Sequence, residues 1–291
     1  MSNKFKGAIF IILGVLSYAL MYLPVKYLVD IPLMQKVFYR NLVPFIISSI
    51  IMAKQKQSFK VKCPWIIALR SISGYLALIF NFYAIAHLLL ADATILKSTN
   101  PFYIILFSIV FLREPFKKHF IITLILAFVG AILVIKPQFN YSVLPSIAGL
   151  GAGMFSGAAY CTVKYLTGKE EPETIIFYFT GASSLFTLPF LLGGQYVSPS
   201  PQEWIGLISI GIFATIAQFF ITYGYSYAPA SELSIYNYAQ IIFTILLGLI
   251  FWREVPDLLS LIGGSLIMIA GYINYQANRE KRSGVQLKVN D

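Results

Sequence analysis

The strongest constraint on this chain is that it contains itself twice. The stretch 91–115, ADATILKSTNPFYIILFSIVFLREP, returns in altered form at 230–256 as ASELSIYNYAQIIFTILLGLIFWREVP. At a constant offset of 140, Asp92 falls on Glu232, Ile95 on Ile235, Phe111 on Phe251, and Arg113-Glu114 on Arg253-Glu254. Upstream, Phe80 falls on Phe220 and Tyr83 on Tyr223. A second pair, Tyr22-Leu23-Pro24-Val25-Lys26-Tyr27-Leu28 and Tyr160-Cys161-Thr162-Val163-Lys164-Tyr165-Leu166, matches at an offset of 138. Two matches in one order at nearly one offset define a duplicated unit of about 140 residues. A repeat of that length constrains the architecture before any local pattern is read.

Composition says what the unit is made of. Apolar residues are 58% of the chain and charged residues 12%, about half the charged share of a soluble domain. The apolar runs are long enough for helices that cross a bilayer, which takes roughly 20 residues each. Lipid offers backbone groups no partners, so such a chain folds as helices. The expected fold is therefore all-α and integral to the membrane. Ten apolar segments are expected near 7–28, 33–53, 65–88, 92–112, 118–136, 144–166, 173–193, 203–226, 231–251 and 257–276.

The net charge of +10 does not point to nucleic acid, because the cations sit at helix ends and in short loops, where topology explains them. With the N-terminus inside, the inner segments hold Lys4, Lys6, Lys54, Lys56, Lys60, Lys62, Arg113, Lys117, Lys118, Arg279, Lys281, Arg282 and Lys288, while the outer loops hold little beyond Lys136 and Arg253. Both termini are thus expected in the cytoplasm, and the protein in the cell (inner or plasma) membrane. No cleavable signal peptide is expected, since the first apolar run continues past 20 residues without a small-residue cleavage site. Five helices per repeat is an odd number, so the second copy enters from the opposite side. The repeats are inverted about a pseudo-two-fold axis in the membrane plane, an arrangement that supplies two related gates around one central site.

The 5+5 layout, the two segments running from Asn100-Pro101 to Glu114 and from Gln240 to Glu254, and glycine-rich ends such as Gly130-Ala131 and Gly263-Gly264 resemble the drug/metabolite transporter superfamily, in its EamA-like ten-helix form. The resemblance covers about residues 7–276. It implies two EamA-like repeats, 1–138 and 139–277, followed by a cytoplasmic tail, 278–291. It also implies a cavity walled by helices one, three and four with six, eight and nine.

Charged residues inside spans are functional candidates by default. Lys97 begins Lys97-Ser98-Thr99-Asn100-Pro101, five non-aliphatic residues in mid-span. Pro101 cannot donate to the carbonyl of residue 97 and its ring clashes there, so the helix should kink or open. A carbonyl freed at membrane depth is tolerated where it meets protein or water, and broken helices of this kind form transporter sites. The competing reading is a kink that only shapes the bundle. The second repeat offers Asn237, Tyr238 and Gln240 at the equivalent places without a proline. Arg40, a third of the way into its helix, is either cavity-facing or ion-paired with Asp30 or Asp92. Lys26 and Lys164, at matching places in the two repeats, are either snorkelling anchors or an outer-gate and an inner-gate contact. Arg70, near a helix end, reads as snorkelling.

Asp92 and Glu232 head their helices, where carboxylates cap free amides and meet the dipole; a proton-coupling role is the alternative. Arg113-Glu114 and Arg253-Glu254 read as interfacial anchors and local ion pairs. Gly149, Gly153 and Gly157 recur every four residues, a spacing that admits another backbone and allows sliding during gating, with Pro101 as the kink. By position Tyr18, Tyr22, Asn81, Tyr83, Asn100, Tyr160, Gln218, Tyr223, Tyr236, Asn237 and Gln240 are candidate cavity residues.

A secondary transporter of a small polar or amphipathic metabolite is expected, working by alternating access as a monomer or homodimer. The intramembrane charge balance favours cations, so an amino acid or other carboxylate-bearing substrate is expected. A nucleobase or amine substrate is the alternative within the class. A membrane enzyme lacks any nucleophile–base spacing, and a channel fits broken inverted repeats poorly. No metal or cofactor is expected, because Cys63, Cys161, His87 and His119 form no ligand spacing. Cysteine labelling should place the Lys56 loop and the Arg282 tail on the cytoplasmic side and the loop near Asn140 on the other. Labelling of Asn140 and Arg282 from one side would be incompatible with five helices per repeat.

Overall fold

The computed structural model describes residues 3–112, 119–135, 143–227 and 233–289. Arg113, Glu114, Asn140 and Glu232 lie outside the described residues. Among the described residues there is no β-strand, and nine helical segments are long and apolar enough to cross a membrane. The first repeat comprises α1 (Asn3–Tyr27), α2 (Leu33–Lys54), α3 (Pro64–His87), α4 (Leu90–Lys97), α5 (Asn100–Leu112) and α6 (His119–Ile135). The second comprises α7 (Leu144–Leu166), α8 (Pro172–Phe190) with a π-helical turn Leu191–Gln195, α9 (Pro201–Tyr227), a 3₁₀ turn Ser234–Tyr238 leading into α10 (Ala239–Trp252), and α11 (Leu258–Val289). Together α4 and α5 form one interrupted span, and the shorter apolar α6 supplies the tenth.

The ten expected spans are present, with two internal differences. The fourth is broken after Lys97, and the ninth begins as a 3₁₀ turn, although no proline marks that place. In addition, α11 continues helical to Val289, through most of the expected tail.

The packing respects the duplication. Helix α1 packs along α9 as α3 packs along α7, α2 meets α9 as α8 meets α3, and α10 crosses α1 as α4 and α5 cross α7. The pairs α2–α8 and α6–α11 map onto themselves when the halves are exchanged. This is what a two-fold axis between the repeats requires. Gly130 and Gly263 carry the α6–α11 crossing, since a Cβ at Gly130 would lie 2.6 Å from the Gly263 carbonyl oxygen. Helix α6 turns Ile121, Ile122, Ile125, Phe128, Val129 and Ile132 outward, as a lipid-facing helix does.

The break in the fourth span has a local cause and a tertiary support. Pro101 supplies no N–H, and the chain bridges the gap with tighter 3₁₀ bonds, Thr99 N–H to Leu96 O at 3.2 Å and Phe102 N–H to Thr99 O at 3.1 Å. Ser98 and Thr99 turn their hydroxyls back onto the Thr94 and Leu96 carbonyls, both at 2.7 Å. The glycine stripe of α7 lies directly over this break. A Cβ at Gly153 would stand 2.5 Å from Thr99 Oγ1, 3.1 Å from Lys97 O and 3.2 Å from Leu96 O; one at Gly157 would meet Tyr103 Cβ at 2.5 Å and Asn100 O at 3.0 Å. Interrupted backbone at membrane depth is thereby covered by backbone.

Gly153→Val is expected to destabilise the protein by about 1–3 kcal/mol, the usual cost of overpacking. Thermal unfolding in detergent measures this. An unchanged melting temperature would show that α7 and the break do not need this close approach.

Candidate functional site

The break places Lys97 at the centre of the bundle. A cavity of about 50 Å³ opens beside it, lined from the first repeat by Tyr18, Met21, Tyr22, Arg40, Arg70, Gly74, Ala77, Leu78 and Asn81, and from the second by Ser156, Ala159, Tyr160, Phe179 and Gln218. As it stands this space holds no more than a few water molecules. A smaller void of about 10 Å³ adjoins it, where Val15, Ser98, Asn100, Asn237 and Gln240 meet Lys97, Tyr18 and Tyr160.

Three cations face this space. Lys97 Nζ donates to Tyr22 Oη at 2.6 Å and lies 5.3 Å and 5.4 Å from the Tyr18 and Tyr22 ring centroids. Arg40, 1% exposed, donates to Asn41 Oδ1 at 2.7 Å, and Asn41 in turn donates to the Val37 carbonyl. Arg70, 3% exposed, stacks on Phe179 at 4.0 Å, and Arg40 meets the same ring at 5.5 Å. Gly74, one turn beyond Arg70, leaves room for its guanidinium and the edge of Phe179. Arg40 Nε, Arg70 Nε and Asn81 Oδ1 are buried without a hydrogen-bond partner. Among the described residues no carboxylate lines the cavity, and none pairs with Arg40, Arg70 or Lys97. The ion pair considered for Arg40 with Asp30 or Asp92 is not formed.

The structure thus brings together Lys97, Arg40, Tyr22, Asn81 and Tyr160 around the main cavity, and Asn100, Asn237 and Gln240 around the adjoining void. Tyr18 donates to Gln218 Oε1 at 3.1 Å across the two repeats, and Asn237 Nδ2 donates to Tyr225 Oη at 2.8 Å. Tyr83 stacks on His87 at the end of α3, Tyr223 bonds Glu173 at the foot of α8, and Tyr236 packs against the core cluster around α1 and α9. Lys164 stands in the last turn of α7, off both voids. Arg70, read from sequence as an interfacial anchor, is a cavity wall, and Phe179 and Ser156 were not singled out at all. The available signal for Arg70 was Gly74 at helical spacing with Ser71 and Ser73 between.

Lys26 lies apart from the cavity and does something else. Its ammonium pairs with Glu254, donates to the Leu88 carbonyl at 3.2 Å and sits 5.5 Å from the Trp252 ring. The second Glu254 oxygen accepts the Leu90 N–H at 2.9 Å, capping α4 from the other repeat, while Asp92 lies inside the first turn of that helix. Arg253 adopts a left-handed conformation, φ 54°, which ends α10 and turns Glu254 inward. A residue pair read as a local interfacial contact therefore ties α1, α4 and α10 together.

These features define a polytopic bundle with a central, cation-lined cavity at a broken helix. Comparison with known families places it: the EamA-like transporter family model matches residues 5–136 and again 144–276. The chain belongs to that family and is a membrane transporter of its type. It is 31% identical over 242 residues to the pseudopaline exporter CntI of Pseudomonas aeruginosa, covering 82% of this chain and 85% of that one. It is 30% identical over 279 residues to an uncharacterized transporter of Helicobacter pylori, covering 92% and 93%. A riboflavin transporter of Brucella anthropi is 30% identical over 195 residues, 64% of this chain and 67% of that one. A crystal structure with 15% sequence identity superposes with a TM-score of 0.70 over 93% of this chain and 97% of its own, a likeness of fold alone.

Proposed function

We propose that the protein is a secondary transporter that carries a small carboxylate-bearing metabolite across the cell membrane by alternating access. The observation that carries this is the convergence of Lys97, Arg40 and Arg70 on one cavity with no carboxylate among its described lining residues. Buried cations without counter-charge are costly, and an anionic substrate supplies what is missing. Relatives named as exporter and transporter of metabolites support movement of the ligand rather than its conversion.

In this proposal the repeats 1–138 and 139–277 move against each other, and the contracted cavity expands to one side at a time. Lys26 and Glu254 close one face, the outer face if both termini are cytoplasmic. Lys164 holds the equivalent place on the opposite face. Tyr22, Asn81 and Tyr160 line the substrate path with Lys97, and Asn100, Asn237 and Gln240 lie beside it, with Pro101, Gly153 and Gly157 as the hinge region. Tyr83, Tyr223 and Tyr236 line neither void in this conformation. The unit of function is the single chain or a homodimer.

A thermal-shift screen of the purified protein against a metabolite library identifies ligands, because binding to the folded state raises apparent stability. A hit should exchange across proteoliposomes in a saturable counterflow assay. Lys97→Ala should lose the ligand-dependent shift at an unchanged apo melting temperature, with affinity down by about tenfold or more, since truncating one partner of a buried charge contact costs about 2 kcal/mol or more. Conversion of the hit into another compound would make the protein an enzyme, and non-saturating conductive flux would make it a channel.

The gate has its own test. With native cysteines removed, Val25→Cys, buried and next to Lys26 in the chain, should react severalfold faster with an impermeant maleimide once Glu254→Gln is added. The exchange Lys26→Glu with Glu254→Lys should restore slow labelling. Equal labelling in all three backgrounds removes the gate role.

A further inference from the structure

Resting on the transport reading, we infer that the substrate carries two or more carboxylates held at two poles of the cavity, and that a zwitterionic amino acid is a poor fit. One pole is Lys97, set over Tyr18 and Tyr22. The other is the pair Arg40 and Arg70, which share the Phe179 ring.

The charge count decides the class. Three buried or half-buried cations line a space whose described wall residues include no carboxylate. The aromatic faces offset only part of this, because a cation–π contact recovers less than the effective penalty of burying an ion. A single carboxylate neutralises one of three charges. An amino acid brings one carboxylate and adds an ammonium, for which the cavity offers only neutral acceptors such as the unpartnered Asn81 Oδ1. Juxtaposed like charges cost several kcal/mol at a recognition site, so the cavity selects against ammonium groups as well as for carboxylates.

The poles come from different elements and have different partners. Lys97 reaches the cavity from the broken fourth span and is already hydrogen-bonded to Tyr22. The two arginines come from α2 and α3, and each keeps a buried Nε–H without a partner. A guanidinium presents a planar fork suited to two carboxylate oxygens, and the ammonium acts as a point charge. The free donors point to one bidentate carboxylate on the arginine side and a second, singly contacted one at Lys97. Asymmetry between the repeats agrees with this. Phe179, 139 positions after Arg40, and Asn237, 140 after Lys97, are neutral, so the positive charge among the described lining residues comes from one repeat.

The test uses the purified full-length protein in nanodiscs with four defined probes: glutarate, citrate, glycerol 3-phosphate and leucine. Melting temperature and calorimetric affinity are read on each. Glutarate or citrate should bind at least tenfold more tightly than leucine. Arg70→Met and Lys97→Met should each weaken that binding at least tenfold, and Arg70→Lys should recover only part of it. The apo melting temperature of Arg70→Met should stay the same or rise, because an unpaired buried charge has been removed; a structural role for Arg70 predicts that it falls. Leucine binding as well as or better than the carboxylates overturns the inference while leaving a transporter. Binding of glycerol 3-phosphate alone, or of none of the probes, overturns it too. If a dicarboxylate binds as expected but is not exchanged across proteoliposomes, the inference stands and the transport reading fails.

Discussion

Everything central to this structure depends on backbone that cannot complete its own hydrogen bonds at membrane depth. Pro101 removes the donor that would close the helix over Lys97, and the chain answers with two 3₁₀ bonds and two hydroxyls. That repair works because α7 brings glycines, not side chains, against the Leu96, Lys97 and Asn100 carbonyls. Hydrocarbon in the same place would leave polar groups unsatisfied at several kcal/mol each. The broken span and the glycine stripe therefore form one device, contributed by different repeats.

The same device positions charge. A continuous helix would carry Lys97 along one face of a regular cylinder. The interruption instead lets α4 end at Lys97 and sets its ammonium between two tyrosine rings of α1. Arg40 and Arg70 reach the cavity by a different route, through the Asn41 bond and the space left by Gly74. The second repeat provides the aromatic and polar complement, Tyr160, Phe179, Ser156 and Gln218. The frame is two-fold, but among the described lining residues the cations come from the first repeat and the second contributes neutral groups.

Lys26 and Glu254 show the other use of charge. Both are only slightly exposed, at 14% and 16%, and they are fully partnered, by each other, the Leu88 carbonyl and the Leu90 amide. A paired contact of this kind joins the repeats without demanding a ligand. The cavity cations, which have neutral hydrogen-bond or ring partners but no carboxylate among the described residues, do demand one. Contrast in partnering separates the two roles more cleanly than position in the span does.

How far the sequence reached follows from what each signal encodes. The ten spans, the inverted duplication and the break at Pro101 were legible, because hydropathy, self-similarity and a missing N–H are properties of the chain itself. Depth points to Lys97 and Arg40, since a cation far from a helix end has few places to go, and position in the span to Tyr22 and Tyr160; all four line the cavity. Arg70 and Glu254 were misjudged for the same reason: proximity to a helix end suggested the membrane interface, and depth alone does not tell which way a side chain turns. The 3₁₀ start of α10 carried no proline to announce it. By itself the sequence determined the helices, their number and the two-fold frame, through local hydrogen bonding and burial in lipid. Only the tertiary structure decided which cations share a cavity and which find a carboxylate, because that depends on how each helix is rotated about its axis by the packing of the other repeat.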